Sequence, residues 1–560
     1  MKLNKKIINK AFIGALALAS VAGLGSCDDM LDTKPQGTFS EAEIGADNYE
    51  ELLTSAYATL MNHFLGNNEA FAAPINNWVM DVRSDDALKG GGDMNYEEYM
   101  HQLEVGNVRS DMQTVNYKWR DCFYAIARCN TVIKAIDGND NIPNVESVIA
   151  EMKTLRAFWW FELWRCYERF PFFTEKDNPS EVAITPDSKN QAMAALKQDL
   201  KDAYGILPES QDVPGRFNKY VAAALLAKAS LYTKDWANAE FYANEVIKSR
   251  KYSLYPNFLD MSDPTFNNQY EAVLAVQFSS ANTPNQFNYN NCLNCPKIPG
   301  ADGAGVYGNG DGFYLASQNL VNAFRTDANG LPLFDTFNDE DVLSADYAGN
   351  VDPRLDFTMG RSGMPWRGIP YTDECQIGNQ FALYGNHSGK KPYTAPDSPY
   401  CTTGIVPWGA NTLNMLLIRY ADVMLMKAEA LVEQNKNLDV ACTLVNDIRN
   451  RAKASWMDSS KAAADCNPMV ANYSVEPYAS FPNQEYARKA VRMERRLELA
   501  MEGHRWFDLV RWGIVVETVN KYYASEVRHH SYYQGAYLPA SNIYFPVPKD
   551  QIDNAGGLYN

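Results

Sequence analysis

Residues 219–249, KYVAAALLAKASLYTKDWANAEFYANEVIKS, leave this chain few folds to choose from. Two stretches with apolar residues at helical spacing are separated only by Thr233–Asp235. A connection that short lays two helices antiparallel and side by side. Ala222, Ala223, Ala224, Ala227 and Ala229 on the first helix, and Ala237, Ala239 and Ala243 on the second, permit close contact between them.

Helical periodicity recurs through both ends of the sequence. Residues 48–64, 117–136, 145–170 and 192–208 carry apolar residues at i, i+3, i+4 spacing, as do 416–434, 439–454 and 485–513. The 219–249 pair resembles a tetratricopeptide hairpin, a unit of about 34 residues. The expected class is therefore mainly α, built from such hairpins.

The middle of the chain breaks this pattern. Ser279–Gly312 holds six Gly and seven Asn with three prolines, which rules out long regular elements there. Loop-rich sequence runs on to about Leu413, with one expected helix over Leu315–Arg325. This region is dotted with aromatics, in which disordered segments are poor. Ordered, functional loops are the reading.

The N-terminus places the protein. Lys2, Lys5, Lys6 and Lys10 precede an apolar run, Ala11–Leu24, shorter than the ~20 residues a membrane helix needs. Small residues then lead into Cys27: Leu24-Gly25-Ser26-Cys27. This is signal-peptide anatomy and looks like a lipoprotein signal, in which Cys27 is lipidated and anchors the chain without a spanning helix. Asp28 and Asp29 resemble the surface-export signal of Bacteroidota lipoproteins. The full chain carries a net charge of −17, and losing residues 1–26 makes it more negative. Such a surface repels nucleic acid and suits a neutral or cationic partner. The remaining cysteines are odd in number and scattered, which excludes a disulfide scaffold. Cys122 and Cys129 read as core. Cys292 and Cys295 read as a loop-closing pair rather than a zinc site, and Cys375 and Cys401 as a further candidate pair.

Several ordered motifs near the C-terminus are similar to those of the SusD/RagB family of outer-membrane nutrient-capture lipoproteins. They are Ile418-Arg419-Tyr420-Ala421-Asp422-Val423, Lys427-Ala428-Glu429-Ala430, residues 445–452 (VNDIRNRA), 494–499 (ERRLEL), 502–513 (EGHRWFDLVRWG) and 544–548 (YFPVP). Residues 155–158 (LRAF) and 352–355 (DPRL) agree, while Arg169-Phe170-Pro171-Phe172 departs from the family's usual Tyr-Gly. The resemblance implies a helical fold on tetratricopeptide-like hairpins with an irregular ligand face. It implies binding rather than catalysis, and a partner, a SusC-like TonB-dependent transporter in the outer membrane, over which the lipoprotein acts as a lid. The organisation it suggests is a signal peptide over 1–26 and a lipidated tether over 27–46. A single domain then covers 47–560, with a helical scaffold in 47–278 and 414–523 and a ligand region at about 279–413.

Two chemistries compete for the conspicuous residues. Glu494, Glu498 and Glu502 share one helix face, as paired glycosidase carboxylates would require. Arg492, Arg495, Arg496 and Arg505 interleave with them, and Arg419, Arg449 and Arg451 lie on neighbouring motif helices. Neutralised glutamates have lowered pKa values, the wrong direction for a general acid, so structural ion pairing is the reading. His504 is the one histidine within a family motif, and no metal-binding pattern surrounds it. The segment FWWFELWRCY, 158–167, is aromatic on all sides and reads as a core helix. No cofactor is expected, although a calcium ion on Asp302 or Asp311 stays open.

The segment 76–93, NNWVMDVRSDDALKGGGD, offers an aromatic plate beside polar groups, which is what a pyranose requires. The second contributor is the 285–314 loop. The expected glycan platform is Trp78, Phe287, Tyr289, Tyr307 and Tyr314, with Trp366 and Trp408 as further plates. Asp81, Arg83, Asn285 and Asp311 supply hydrogen bonds. The reading is capture of a neutral plant glycan, such as a β-glucan or hemicellulose, for delivery to the transporter. The alternatives are a peptide-capture member of the family, a surface glycoside hydrolase, and a lid that binds no ligand.

Overall fold

The computed structural model describes residues 48–61, 78–279, 288, 294–297, 310–375, 380–402 and 409–559. Its scaffold is a run of helices: α1 (Tyr49–Tyr57), α2 (Gln113–Ile136), α3 (Val145–Cys166), α4 (Ser188–Ile206), α5 (Lys219–Tyr232) and α6 (Trp236–Lys248), then α7 (Tyr420–Glu433), α8 (Leu438–Met457), α9 (Gln484–Glu498), α10 (Arg505–Trp512) and α11 (Val515–Glu526). From α2 to α8 each helix packs on the next, and α9 closes over α7 and α8. The architecture is a stack of helical hairpins around a large main core, with a second apolar cluster between α7, α8 and α9.

The 219–249 hairpin forms as its sequence predicts. Asn218 caps α5 by accepting from the amides of Tyr220 and Val221, and Asp235 caps α6 by accepting from Asn238. Between them Lys234 takes a left-handed conformation, φ +57°. The Asp235 amide donates to Ser230 O at 2.9 Å and the Lys234 amide to Leu231 O at 3.2 Å, a Schellman closure. The α7–α8 hairpin repeats it at Asn435, φ +51°, with Lys436 N to Leu431 O at 3.0 Å. The alanines of α5 are buried, as are Ala239 and Ala243 of α6, so small side chains set the close packing.

Helices α6 and α7 are neighbours in the stack, yet residues 249–419 lie between them in sequence. This long insertion leaves and returns through one antiparallel pair, β2 (Ala272–Val276) with β4 (Met415–Arg419). A second pair, β1 (Ala87–Gly90) with β3 (Phe313–Ala316), ties the insertion to the segment before α2. The helix expected over Leu315–Arg325 is therefore partly strand: Leu315 pairs with Leu88, Ser317 caps the break, and the helix covers only Gln318–Ala323.

Two further features differ from expectation. Helix α3 stops at Cys166, where Tyr167 bridges to Phe545 of the closing YFPVP segment. Cys375 and Cys401 are free thiols, not a disulfide. Cys292, the signal peptide, Cys27 and the tether lie outside the described residues. The aromatic 158–161 run is core, as expected. Among the described residues no helix is long and apolar enough to cross a membrane.

Candidate functional site

The 78–90 segment is knitted into the interior by the C-terminal motifs. Helix Trp78–Asp81 leads into β1. Asp81 is buried and accepts from the Tyr314 hydroxyl at 2.6 Å and the Gly503 amide at 2.8 Å, both on Oδ2. Its Oδ1 accepts from the Arg505 amide at 3.2 Å. Burial, with Asp86 nearby, pushes its carboxyl up to about 7 against those hydrogen bonds. Arg83 stacks 3.9 Å from the Trp506 ring and donates to the carbonyls of Asn542 and Ile543. Burial lowers its guanidinium to about 9. Asp85 takes a two-point bond from Arg505 at 2.8 Å, and Asp86 pairs with Arg496 at 2.8 Å.

These placements correct the expected site. Asp81, Arg83 and Tyr314 are interior: Asp81 is used on Tyr314 and on the GHRW turn, and Arg83 on the Asn542 and Ile543 carbonyls and the Trp506 ring. Trp366 is also interior. It packs with Tyr371, Cys375 and Tyr393 in a small satellite core within the insertion, and its Nε1 donates to Gly389 O at 3.3 Å. The side chain of Trp78 lies outside the described residues, as do Asn285, Phe287, Tyr289, Asp302, Tyr307 and Trp408.

Of the expected hydrogen-bonding residues, Asp311 faces a partly open surface, and there the structure brings in an aromatic that sequence reasoning missed. Tyr96 is 48% exposed and stacks on buried Phe313, centroids 5.7 Å apart and planes 25° from parallel. Its hydroxyl lies 3.2 Å from Asp311 Oδ2. Burial raises the Asp311 carboxyl and holds the Tyr96 phenol up at about 12, so the phenol keeps its proton.

The plate is built on glycine. Gly90, Gly91 and Gly92 all have positive φ. A Cβ on Gly91 would fall 2.0 Å from the Phe313 ring, so no other residue fits while that ring supports Tyr96. Asp93 then accepts from the amides of Asn95 and Tyr96 at 2.8 and 3.0 Å, closing a turn that presents Tyr96 beside exposed Met94 and Asn95. The sequence signal was GGGDMNY, an aromatic one tight turn beyond a glycine triplet.

Two larger clefts, of about 250 and 280 Å³, flank the 213–216 loop. The aromatics in their walls are committed internally: Tyr57 donates to Glu151 and meets Phe217 edge-on, and Tyr252 bonds Asn218. Neither cleft offers an exposed plate.

The glutamate face is a buried ion-pair lattice. Arg354 donates to Glu494 at 2.6 Å and to Glu498 at 3.1 Å, and Arg449 reaches Glu494 at 3.1 Å. Arg419 bonds Glu502 at 2.7 and 2.9 Å and also reaches Glu498 and Glu271. Lys391 adds a bond to Glu502 at 2.6 Å, and Arg451 clasps Glu498 and Glu271. Burial by itself would raise these carboxyls. The surrounding guanidiniums outweigh it and pull Glu498 and Glu502 down to about 2. A general acid requires the opposite shift. The arginines interleaved on α9 serve other acids: Arg495 binds Asp422 and Asp508, and Arg496 binds Asp85 and Asp86. His504, 3.5 Å from Lys228, is lowered to about 3 by burial and that cation, and stays neutral.

A family model described as "SusD family" matches residues 270–560, more than half of the chain. The chain belongs to the SusD family. A second model, described as "Starch-binding associating with outer membrane", matches residues 29–231. Over 94% of each chain, this SusD-family protein is 24% identical to SusD-like protein P25 of Formosa agariphila. Its fold is that of a SusD-like carbohydrate binding protein from Bacteroides fragilis, with a TM-score of 0.71, 20% identity, and 92% of this chain and 99% of that one covered. It is likewise similar to surface glycan-binding protein A from Bacteroides thetaiotaomicron, determined in complex with laminarihexaose. That match has a TM-score of 0.64, 18% identity and coverage of 92% and 98%.

Proposed function

We propose that this SusD-family chain is a surface glycan-binding protein that captures a neutral glycan, of β-glucan or hemicellulose type, without transforming it. The observation that carries the reading is the half-exposed Tyr96 ring, backed by Phe313 and edged by Asp311. A pyranose presents a flat C–H face to such a ring and hydroxyls to the carboxylate rim. The names of two relatives, one a carbohydrate binding protein and one solved with laminarihexaose, point the same way. The acidic surface favours an uncharged ligand over polyanions.

Lipidation at Cys27 anchors the protein at the outer membrane, and the captured glycan passes to a SusC-like TonB-dependent transporter. Weak stacking at each site gains strength through multivalency on the membrane.

The test is affinity gel electrophoresis of the mature chain in laminarin, barley β-glucan, xylan and xyloglucan, beside Tyr96→Ala. Retardation in one polysaccharide, reduced about tenfold in affinity by the variant while its circular dichroism is unchanged, supports the reading. No retardation in any of them removes it. Alanine at Trp78, Asn285, Phe287, Tyr289, Tyr307 and Trp408 in turn extends the test to the other proposed contributors.

A further inference from the structure

The aromatic plate rests on a buried cation. Lys89, on β1, has no exposed surface, and its Nζ donates to the main-chain carbonyls of Asp93 at 3.1 Å and Tyr96 at 2.7 Å. The same ammonium lies 5.5 Å from the Phe313 ring centroid and 5.6 Å from that of Tyr384. One charged group therefore touches both halves of the plate: the backbone beneath Tyr96, and the ring on which Tyr96 stacks. An ammonium donates hydrogen bonds and is drawn to ring faces. A neutral amine is a weaker donor and loses the attraction to the rings.

We infer that Lys89 is the positioning residue of the plate: its charged ammonium clamps the Asp93–Tyr96 turn against Phe313 and Tyr384, so that ligand capture depends on Lys89 remaining charged. The inference rests on the reading of Tyr96 as the glycan plate. The turn also closes on itself, with the Tyr96 amide donating to Asp93 O at 3.2 Å and the Asp93 carboxylate accepting the amides of residues 95 and 96. It is Lys89, however, that ties the Asp93 and Tyr96 carbonyls to the side of Phe313 and Tyr384.

The groups facing Lys89 set its working range. Burial lowers its pKa to about 8, while the carboxylates of Glu104, Glu97 and Asp93 oppose that shift. Glu104 approaches from the helix Glu98–Glu104, where Tyr532 and Tyr533 hold it by hydrogen bonds at 2.9 Å. The phenols of Tyr96 and Tyr384 stay protonated well above that range, so they do not titrate with it. Raising the pH from 7 to 9.5 discharges Lys89 while leaving the ring faces and Asp93 as they were.

The experiment uses the mature chain as wild type, Lys89→Arg and Lys89→Met. Amide hydrogen exchange of peptides covering 90–99, corrected for intrinsic rate, is measured at pH 7 and 9.5. Affinity for laminarin and xylan is measured at the same two pH values. In the wild type, protection of the turn and glycan affinity should both fall at least tenfold at pH 9.5. Lys89→Arg, charged at both pH values, should keep both, and Lys89→Met should lack both throughout. Wild-type protection and affinity that do not change with pH, or Lys89→Met retaining them, overturn the role of Lys89. A turn that loosens while a bound glycan keeps its affinity overturns it as well. Absence of glycan binding by the wild type at pH 7 overturns the plate reading itself, and is recognised without reference to the variants.

Discussion

The carboxylate of Asp81 and the hydroxyl of Tyr314, distant in sequence, meet at 2.6 Å inside the protein. That contact joins the segment before α2 to the insertion, and the Gly503 and Arg505 amides join both to the C-terminal motif. Three remote parts of the chain converge on one buried acid.

Asp81 should therefore report on stability through pH. Its folded pKa of about 7 lies above the unfolded value of 3.8, so the native state holds the proton more tightly. The contribution is fully present below about pH 4 and is lost as the pH rises through 7. Asp81→Asn removes this dependence. Between pH 5 and 8 the wild type should lose roughly 2–3 kcal/mol relative to the variant, read as the difference in urea unfolding midpoints. Parallel pH profiles for the two proteins would show that Asp81 does not titrate in that window.

Gly91→Ala should damage the plate without unfolding the protein. The new Cβ collides with the Phe313 ring and forces an alanine to φ +65°, at a local cost of about 1–2 kcal/mol. Glycan affinity should fall as far as in Tyr96→Ala, with only a few degrees lost in Tm. Calorimetry beside a thermal melt checks both, and unchanged affinity would show that Phe313 does not support the ligand surface.

Glu498→Gln separates lattice from catalysis. It removes one of the counter-charges shared by Arg354, Arg419 and Arg451 in the buried lattice, at a cost of about 3 kcal/mol. Thermal denaturation should show that loss, and a reducing-end assay on wild-type protein should show no glycan cleavage. Cleavage by the wild type that disappears in the variant would restore the hydrolase reading.

Lys234→Gly should stabilise the 219–249 hairpin. The turn holds Lys234 at φ +57°, a conformation that disfavours any side chain, and glycine relieves roughly 0.5–1 kcal/mol after its larger unfolded-state entropy is counted. A denaturant titration measures the gain, and a loss instead would show that the lysine side chain contributes contacts to the turn.

The helical architecture was legible in the sequence because its signals are local. Periodicity, alanine runs and capping residues such as Asn218 and Asp235 act within a few positions of one another. The lattice of acids and arginines was legible as a kind of chemistry, though not in its partners. Glu494 and Glu498 are answered by Arg354 of the insertion, while Arg495 and Arg496 of their own helix turn to other acids.

The candidate ligand surface was not legible to the same degree. Composition shows that Asp81, Arg83, Tyr314 and Trp366 have the chemistry of a sugar site. It cannot show that the GHRW turn and the satellite core would claim them first. The sequence by itself determined the hairpin stack and the family, since both rest on patterns written along the chain. Only tertiary structure decided that Tyr96 faces solvent while Tyr314 and Trp366 are buried. Exposure depends on which distant segments cover a residue, and here β1 and β3 bring the glycine triplet under Phe313 and leave Tyr96 on top.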